Sequence, residues 1–328
     1  MRLSGAVGPR TSSRPLFKRF PALAKLPHVP IGRFPTPVLH AWELSPTLWV
    51  KRDDRSADPL GGNKVRSLEF QLANMPLDEK VVTVGPAGST HALSLATYTK
   101  LLGGRAYIGR WRQEMNVAAA IVDDLIPREA EEAPTFRTPM QAYLWAWKQR
   151  LNGARWVPAG GTSPVGILGH VDAALELAAQ LDAGELPLPR VVVVPLGSGG
   201  TAAGLTLGFA IAGVHTRVMG ARVVPRVIGR TGRVLGLINR TARLIEELTG
   251  ERVPRPHHNA FEIAHESFGG AYGRETKAGM EATGQFRRSS GLTLDATYSA
   301  KACALALTLE GAPVLFWLTF DSRIVEQS

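Results

Sequence analysis

The amino-acid sequence predicts an α/β protein with two open, twisted and mostly parallel sheets. Runs of β-branched residues, such as Val191–Val194, alternate with segments in which apolar residues recur at helical spacing. Glycine-rich turns stand between several strand candidates and the helix candidates that follow them. The 328 residues are enough for two domains.

The strand candidates are short apolar segments bounded by turns. They are Trp49–Lys51, Val81–Val84, Ala106–Ile108, Arg155–Val157, Val191–Val194, Arg217–Val223 and Val314–Leu318. The helix candidates are Val65–Asn74, Ser89–Leu102, Met140–Leu151, Pro164–Leu181, Ala202–Ala212, Pro225–Thr249, Tyr272–Thr283 and Ser299–Leu309. The helices at Ser89, Pro164 and Ala202 each follow a strand and a turn, so their free N–H groups point to one edge of a sheet.

Composition narrows the class of protein. Hydrophobic residues make up 45% of the chain, which predicts a soluble globular protein. The single cysteine, Cys303, excludes an intramolecular disulfide and a multi-cysteine metal site, and it fits a reducing, cytoplasmic location. We predict no metal. Residues 191–214 carry no charge, but glycines and Pro195 divide them, so we predict a buried strand, turn and helix rather than a membrane span.

The net charge of +10 raises the question of nucleic-acid binding. Nine arginines and three glutamates lie between Arg217 and Arg255, yet apolar residues recur among them at helical spacing. Aromatic residues for base stacking are absent there. We therefore predict a solvated helix face and no nucleic-acid partner. Residues 1–20 are rich in Arg, Ser and Pro and predict a basic tail before a fold that begins near Leu16, although an organelle transit peptide has a similar composition.

The turn Gly61-Gly62-Asn63-Lys64 presents one lysine after a strand-like run and an acidic loop. Far along the chain follows a second glycine-rich turn, Gly197-Ser198-Gly199-Gly200-Thr201. A lysine amine can form a Schiff base with an aldehyde, and a loop with free backbone amides can bind a phosphate. The pair of turns therefore points to pyridoxal phosphate.

Two other phosphate sites fit less well. A dinucleotide site requires an acidic residue at the end of the next strand, about 20 residues further on. Here that strand ends in Gly220-Ala221-Arg222-Val223, which contains no acid. The pattern G-x-x-x-x-G-K-[ST] is absent from the sequence, which excludes an ATPase loop of that type.

Eight motifs occur in the order found in fold-type II pyridoxal-phosphate enzymes. They are Pro35-Thr36-Pro37, Val50–Asp54, Gly61–Arg66 with Leu68–Phe70, Ser89-Thr90-His91, Gly160–Pro164, Gly197–Leu205, Ala271-Tyr272-Gly273 and Tyr298–Lys301. From about Leu16 to Leu318 the chain resembles the family that contains 1-aminocyclopropane-1-carboxylate deaminase and D-cysteine desulfhydrase.

The resemblance implies roles for individual residues. The implied catalytic residues are Lys64, which would carry the Schiff base and then remove the Cα proton, Ser89, Tyr272 and Tyr298. The implied cofactor-binding residues are Lys64, Asn63, Gly197, Ser198, Gly199, Gly200, Thr201 and Ser299. The implied substrate-binding residues are Ser89, Thr90 and His91. Ser89 is also a good helix N-cap, and His91 is also compatible with a core histidine.

Three departures from the family pattern bear on the substrate. Ser299 stands where the cyclopropane deaminases carry a glutamate facing the pyridine nitrogen, and Thr90 replaces an asparagine. Leu318-Thr319-Phe320-Asp321 stands where His-Thr-Gly-Gly is common. A hydroxyl at position 299 makes the ring a weaker electron sink than a carboxylate does, which favours the desulfhydrase-like members.

The resemblance implies a large cofactor-binding domain of residues 1–66 and 166–328 and a small domain of residues 67–165. The expected reaction is β-elimination from a small amino acid to a keto acid and ammonia. The alternatives are 1-aminocyclopropane-1-carboxylate deaminase and a non-catalytic pyridoxal-phosphate-binding protein. The expected partners are a small amino-acid substrate and a second copy of the chain in a homodimer, with no membrane.

Overall fold

The structure is a computed structural model that describes residues 14–326. The basic tail predicted ahead of Leu16 lies outside the described residues, apart from Arg14 and Pro15. Arg14 donates to the carboxylates of Glu69 and Asp172, and Leu16 is fully buried. The first described residues are therefore already part of the packed fold.

Strands and helices alternate along most of residues 14–326. The strands are β1 (Val38–His40), β2 (Leu48–Arg52), β3 (Lys80–Pro86), β4 (Arg105–Trp111), β5 (Thr135–Phe136), β6 (Arg155–Trp156), β7 (Val191–Leu196), β8 (Arg217–Arg222), β9 (Phe261–Ala264) and β10 (Val314–Leu318). The helices are α1 (Pro15–Arg19), α2 (Lys64–Gln71), α3 (Thr90–Leu101), α4 (Val117–Glu129), α5 (Pro139–Leu151), α6 (Pro164–Asp182), α7 (Gly200–Ala212), α8 (Thr231–Thr249), α9 (Lys277–Ser290), α10 (Ser299–Leu307) and α11 (Arg323–Glu326).

The larger sheet has the strand order β1-β2-β10-β7-β8-β9, and only its edge strand β1 is antiparallel to its neighbour. Along β7, Val192 and Val194 face one hydrophobic core, and Val191 and Val193 face another. Both faces of the sheet are thus covered, which explains why the strand is an unbroken apolar run.

The smaller sheet has the order β5-β4-β3-β6 and is entirely parallel. It is built from residues 80–156, and the six-stranded sheet is built from segments on either side of that range. The predicted α/β fold with mostly parallel sheets is confirmed. The domain boundaries after residues 66 and 165 stay a prediction.

Helices α6 and α7 pack closely because glycines on α7 face α6. A Cβ at Gly208 would lie 2.5 Å from the Cβ of Ala174, and a Cβ at Gly204 would clash with His170. Both helices cover the same face of the large sheet. The close packing brings His170 under the first turn of α7, beside the glycine-rich turn that precedes it.

Two predicted helix starts are wrong. The helix predicted from Tyr272 begins at Lys277, because the Thr276 side chain caps it by accepting from the Gly279 N–H group at 3.1 Å. The helix predicted from Pro225 begins at Thr231, after a turn in which Ile228 and Gly229 donate to the Pro225 carbonyl. Tyr272 therefore lies on a loop.

Within residues 14–326, no helix is both long enough and apolar enough to cross a membrane.

Candidate active site

Lys64 is the first residue of α2 and follows the Gly61–Asn63 turn. Gly62 has φ +106°, and a Cβ there would lie 2.8 Å from the Thr319 carbonyl oxygen, so only glycine fits. Lys64 Nζ donates to the Gly160 carbonyl at 3.3 Å. This long hydrogen bond is the one that the Lys64 side chain makes within residues 14–326, so the amine is held weakly.

Burial lowers the pKa of Lys64 to about 8, because desolvation penalises the charged ammonium. Ion pairs with carboxylates, which would oppose that shift, are absent for Lys64 in the described chain. A substantial fraction of the amine is therefore neutral near pH 8, as a nucleophile or a base requires.

The second glycine turn joins the carboxyl end of β7 to the start of α7. Gly199 has φ +93°, and a Cβ there would come within 3.3 Å of Val234. Asn63 Nδ2 donates to Thr201 Oγ1 at 2.7 Å, so the two turns that are far apart in sequence meet. The N–H groups at the start of α7 are available to an anion at this point.

A third loop, residues 159–163, closes on both turns. Gly160 and Gly161 have positive φ, and a Cβ on Gly160 would clash with Ser198. Thr162 Oγ1 donates to Ser198 Oγ at 2.6 Å. The Gly160 carbonyl, which accepts from Lys64, thus lies beside the glycine turn, and the three loops contact one another.

The segment Ser89-Thr90-His91 opens α3 after the carboxyl end of β3. Ser89 caps the helix, since its Oγ accepts from the Ala92 N–H group at 3.3 Å. His91 is buried, and its Nε2 lies 3.2 Å from Thr83 Oγ1. Burial and the charge of Lys64 lower the pKa of His91 to about 3, so the imidazole is neutral and close to Lys64. Thr90 remains partly exposed.

Tyr272 and Tyr298 meet through their hydroxyl groups, and their ring centroids are 5.9 Å apart in an edge-on arrangement. Burial raises the pKa of both phenols above the ordinary value. A Cβ on Gly197 would lie 3.7 Å from the Tyr298 ring, which places Tyr298 beside the glycine turn. The pair can hold or pass a proton at that position.

Ser299 is the first residue of α10 and is fully buried. Its Oγ has no hydrogen bond of acceptable geometry within residues 14–326. The nearby Asp295 carboxylate accepts from the backbone N–H groups of Tyr298, at 2.7 Å, and Ser299, at 2.9 Å. Burial raises the pKa of Asp295.

Two site residues, Asp295 and His170, were not predicted from the sequence. For Asp295 a signal was available, because an acid three residues before Tyr298 and four before Ser299 can accept from both N–H groups at a helix start. His170 had no local signal, because its contact with Thr201 depends on the packing of α6 against α7.

The carboxyl-terminal departure from the family pattern has a structural role. Phe320 is buried in the core formed with Leu60, Val65 and Leu68. Asp321 Oδ2 accepts from the Gly61 N–H group at 2.8 Å. The two larger residues thus stabilise the turn that presents Lys64.

Comparisons with known proteins identify the family of this chain. The family described as "Pyridoxal-phosphate dependent enzyme" matches residues 29–319. A Pyrococcus abyssi protein provisionally named 1-aminocyclopropane-1-carboxylate deaminase is 32% identical over 88% of this chain and 86% of its own length. Nocardicin C-9' epimerase from Nocardia uniformis is 30% identical over 92% of this chain and 94% of its own length. A solved structure described as an ACC deaminase homologue has a TM-score of 0.76 at 26% identity and covers 95% of this chain and 99% of that chain.

The fold and the match define an enzyme that depends on pyridoxal phosphate. The chain belongs to the pyridoxal-phosphate-dependent enzyme family with the type II fold, in its deaminase and lyase group. The predicted family and cofactor are confirmed; the roles predicted for single residues stay predictions.

The residues around the three loops fit this cofactor. Ser299 Oγ and His91 Nδ1 are buried polar atoms without partners in the described chain. The Gly197–Gly200 turn offers backbone N–H groups to the phosphate, and Lys64 offers a weakly held amine to the aldehyde. Ser299 would face the ring nitrogen, and Asn63 would bond the ring hydroxyl.

Proposed function

We propose that the protein catalyses β-elimination from a small β-substituted amino acid, as a D-cysteine desulfhydrase does. For D-cysteine the balanced reaction consumes one water and releases pyruvate, ammonia and hydrogen sulfide. The observation that supports this reaction is the buried hydroxyl of Ser299 at the start of α10, where the cyclopropane deaminases carry a carboxylate.

The proposal assigns one task to each group of residues. Pyridoxal phosphate supplies an aldehyde that binds the substrate amine and a ring that withdraws electrons from Cα. The N–H groups at the start of α3 and the Ser89 hydroxyl bind the substrate carboxylate. Lys64 Nζ removes the Cα proton, which its lowered pKa permits. The Tyr272–Tyr298 pair delivers a proton to the departing group.

Ser299 favours elimination over ring opening for an electronic reason. A hydroxyl leaves the pyridine nitrogen largely neutral, so the ring stabilises negative charge at Cα less well than with a carboxylate partner. Elimination tolerates this, because the leaving group departs as the proton is removed. If the lost stabilisation is on the order of 4 kcal/mol, ring opening slows by about three powers of ten, at about 1.4 kcal/mol per factor of ten.

The second candidate is 1-aminocyclopropane-1-carboxylate deaminase. The names of the Pyrococcus abyssi relative and of the solved homologue favour it. The buried Asp295 carboxylate favours it too, because it accepts from the Ser299 backbone N–H group and places an acidic group next to the Ser299 side chain. A non-catalytic pyridoxal-phosphate-binding protein is the third candidate, and Thr90 at the substrate side is the departure that supports it.

The test compares keto-acid release from D-cysteine and from 1-aminocyclopropane-1-carboxylate by the purified holoenzyme at one pH. We expect pyruvate from D-cysteine and little 2-oxobutyrate from the cyclopropane substrate. Ser299→Glu is the matched variant and should shift the ratio toward ring opening. Equal or faster cyclopropane turnover by the unmodified enzyme would contradict the role given to Ser299.

Two further measurements separate the remaining candidates. Borohydride reduction and peptide mapping should place the pyridoxyl group on Lys64 in every preparation used. If the loaded protein releases no keto acid from a panel of L- and D-amino acids, chiral analysis of that panel distinguishes an epimerase from a non-catalytic carrier.

A further inference from the structure

His170 lies on α6, directly under the first turn of α7, and has no role in the reaction derived above. It is 3% exposed, and its Nε2 lies 3.4 Å from Thr201 Oγ1. The same Thr201 oxygen accepts from Asn63 Nδ2 at 2.7 Å. Residues from α6, α7 and the lysine-bearing turn therefore meet at one hydroxyl group, beside the glycine turn of residues 197–200.

The position of the imidazole is fixed by close helix packing. A Cβ on Gly204 would clash with His170 Cβ and would lie 3.0 Å from the Ile167 carbonyl oxygen, so the two helix backbones approach each other here. Glycine at position 204 permits this approach. The imidazole therefore has little freedom to move away from Thr201.

The imidazole is neutral. Burial, and next the positive charges of Lys64 and Arg66, lower the pKa of His170 well below its ordinary value. A neutral imidazole carries one N–H group and one bare nitrogen. The remaining question is which nitrogen carries the proton.

The partners of the two ring nitrogens decide the tautomer. Nδ1 is buried and has no partner within residues 14–326, whereas Nε2 can reach Thr201. A buried N–H group without an acceptor is rarer than a buried acceptor without a donor. The proton therefore belongs on Nε2, and His170 donates to Thr201 Oγ1.

This assignment fixes the direction of the Thr201 hydroxyl proton. An oxygen that already accepts from Asn63 and from His170 must point its own hydrogen elsewhere. With the proton on Nε2, the two hydrogen bonds of Thr201 Oγ1 within residues 14–326 are both accepted ones, so its own hydrogen has no partner there. Thr201 directly follows the glycine turn of residues 197–200, where a phosphate would supply an acceptor.

We propose that His170 is a positioning residue for the cofactor, which acts by directing the Thr201 hydroxyl proton to the phosphate group. The inference rests on the pyridoxal-phosphate site and not on which amino acid is turned over. It can therefore be tested separately from the elimination reaction, by a measurement that needs no catalytic turnover.

The test measures the dissociation constant of pyridoxal phosphate from the cofactor-free protein by absorbance titration. We expect His170→Phe to weaken binding about tenfold, the scale of a hydrogen bond to a charged group. His170→Gln can place a donor near the position of Nε2 and should recover most of the affinity. In a Thr201→Val background, His170→Phe should cause no further loss, because the hydroxyl that it directs is gone.

Pyridoxal without its phosphate is the matched ligand. Its dissociation constant should be the same for the unmodified protein and for His170→Phe. Two results would overturn the proposal and make His170 a packing residue. One is an equal loss of affinity for pyridoxal and for pyridoxal phosphate; the other is additive losses of affinity from the His170 and Thr201 substitutions. If His170→Phe does not fold, as judged by thermal unfolding, His170→Asn takes its place with the same expected outcomes.

Discussion

At the scale of single residues, Lys64 shows how burial affects a lysine amine in a folded chain. Burial without a carboxylate partner disfavours the charged form of its amine, so this lysine lowers the free energy of unfolding. Because its folded pKa of about 8 lies below the ordinary 10.5, the unfolded chain binds more protons between these values. The destabilisation by Lys64 is therefore largest below pH 8 and disappears as pH rises toward 10.5.

Lys64→Met should accordingly stabilise the cofactor-free protein at pH 7, and the gain should shrink between pH 8 and pH 10.5. Denaturant unfolding of both proteins at pH 7 and pH 10 measures the gain. Lys148→Met, which changes an exposed lysine on α5, is the control and should show no such dependence on pH. A gain that is equal at both values of pH would show that packing, and not charge, is responsible.

The sequence predicts a role for a residue where a local motif carries the signal. Lys64 and Gly199 are predicted to be site residues because their neighbours form turns with recognisable chemistry. His170 and Phe320 could not be assigned in this way. Their contacts, with Thr201 and with the core around Leu68, exist only once helices and strands have packed.

At the scale of elements, α7 shows how glycine spacing sets the distance between two helices. A Cβ at Gly208 would lie 2.5 Å from Ala174 Cβ and 2.8 Å from the Val171 carbonyl oxygen, and neither atom can move away easily. In α8, by contrast, Gly232 has open space around the position of a Cβ.

Substitution by alanine should therefore change the stability of the protein in opposite directions at Gly208 and Gly232. Gly208→Ala should destabilise the protein by about 1–3 kcal/mol through overpacking. Gly232→Ala should stabilise it by a few tenths to about 1 kcal/mol, because the unfolded chain loses freedom. The midpoints of denaturant unfolding measure both changes. Stabilisation by Gly208→Ala would show that α6 and α7 can separate without cost.

Elements were predictable where their own residues decide the structure. The buried parallel strands are continuous apolar runs, and β3, β7 and β10 were found for that reason. The edge strands β1, β5 and β9 were missed, because they have two to four residues and little apolar pattern. Helix α4 was missed because Pro127 lies inside it.

At the scale of the whole molecule, Arg66 joins four parts of the chain. Its guanidinium donates to both carboxylate oxygens of Asp53, at 2.8 and 2.9 Å, and to Glu176 on α6 at 3.0 Å. Thr36 from the amino-terminal segment and Lys51 from β2 complete the network. Since Arg66 lies two residues after Lys64, the network fixes α2, which begins with Lys64.

The network also makes stability depend on pH. Burial alone would raise the pKa of Asp53 and of Glu176, but the Arg66 guanidinium holds both below their ordinary values of 3.8 and 4.5. Depressed folded pKa values mean that the unfolded chain binds more protons at acid pH. The stabilisation that these carboxylates give to the fold is therefore complete above about pH 4.5 and is lost as pH falls further.

Arg66→Met should destabilise the protein by about 3–5 kcal/mol at pH 7, because it leaves two buried carboxylates with too little positive charge. Without the guanidinium, burial should raise the pKa of both acids, so acidification to pH 4 neutralises them more easily in the variant. The difference in unfolding free energy between the two proteins should thus narrow from pH 7 to pH 4.

The control is Arg240→Met, at an exposed position on α8. Its unfolding free energy should stay within about 0.5 kcal/mol of that of the unmodified protein. A difference for Arg66→Met that does not change with pH would mean that the effect comes from packing and not from charge. The packing partner is the Phe34 ring, whose centroid lies 4.2 Å from the guanidinium carbon.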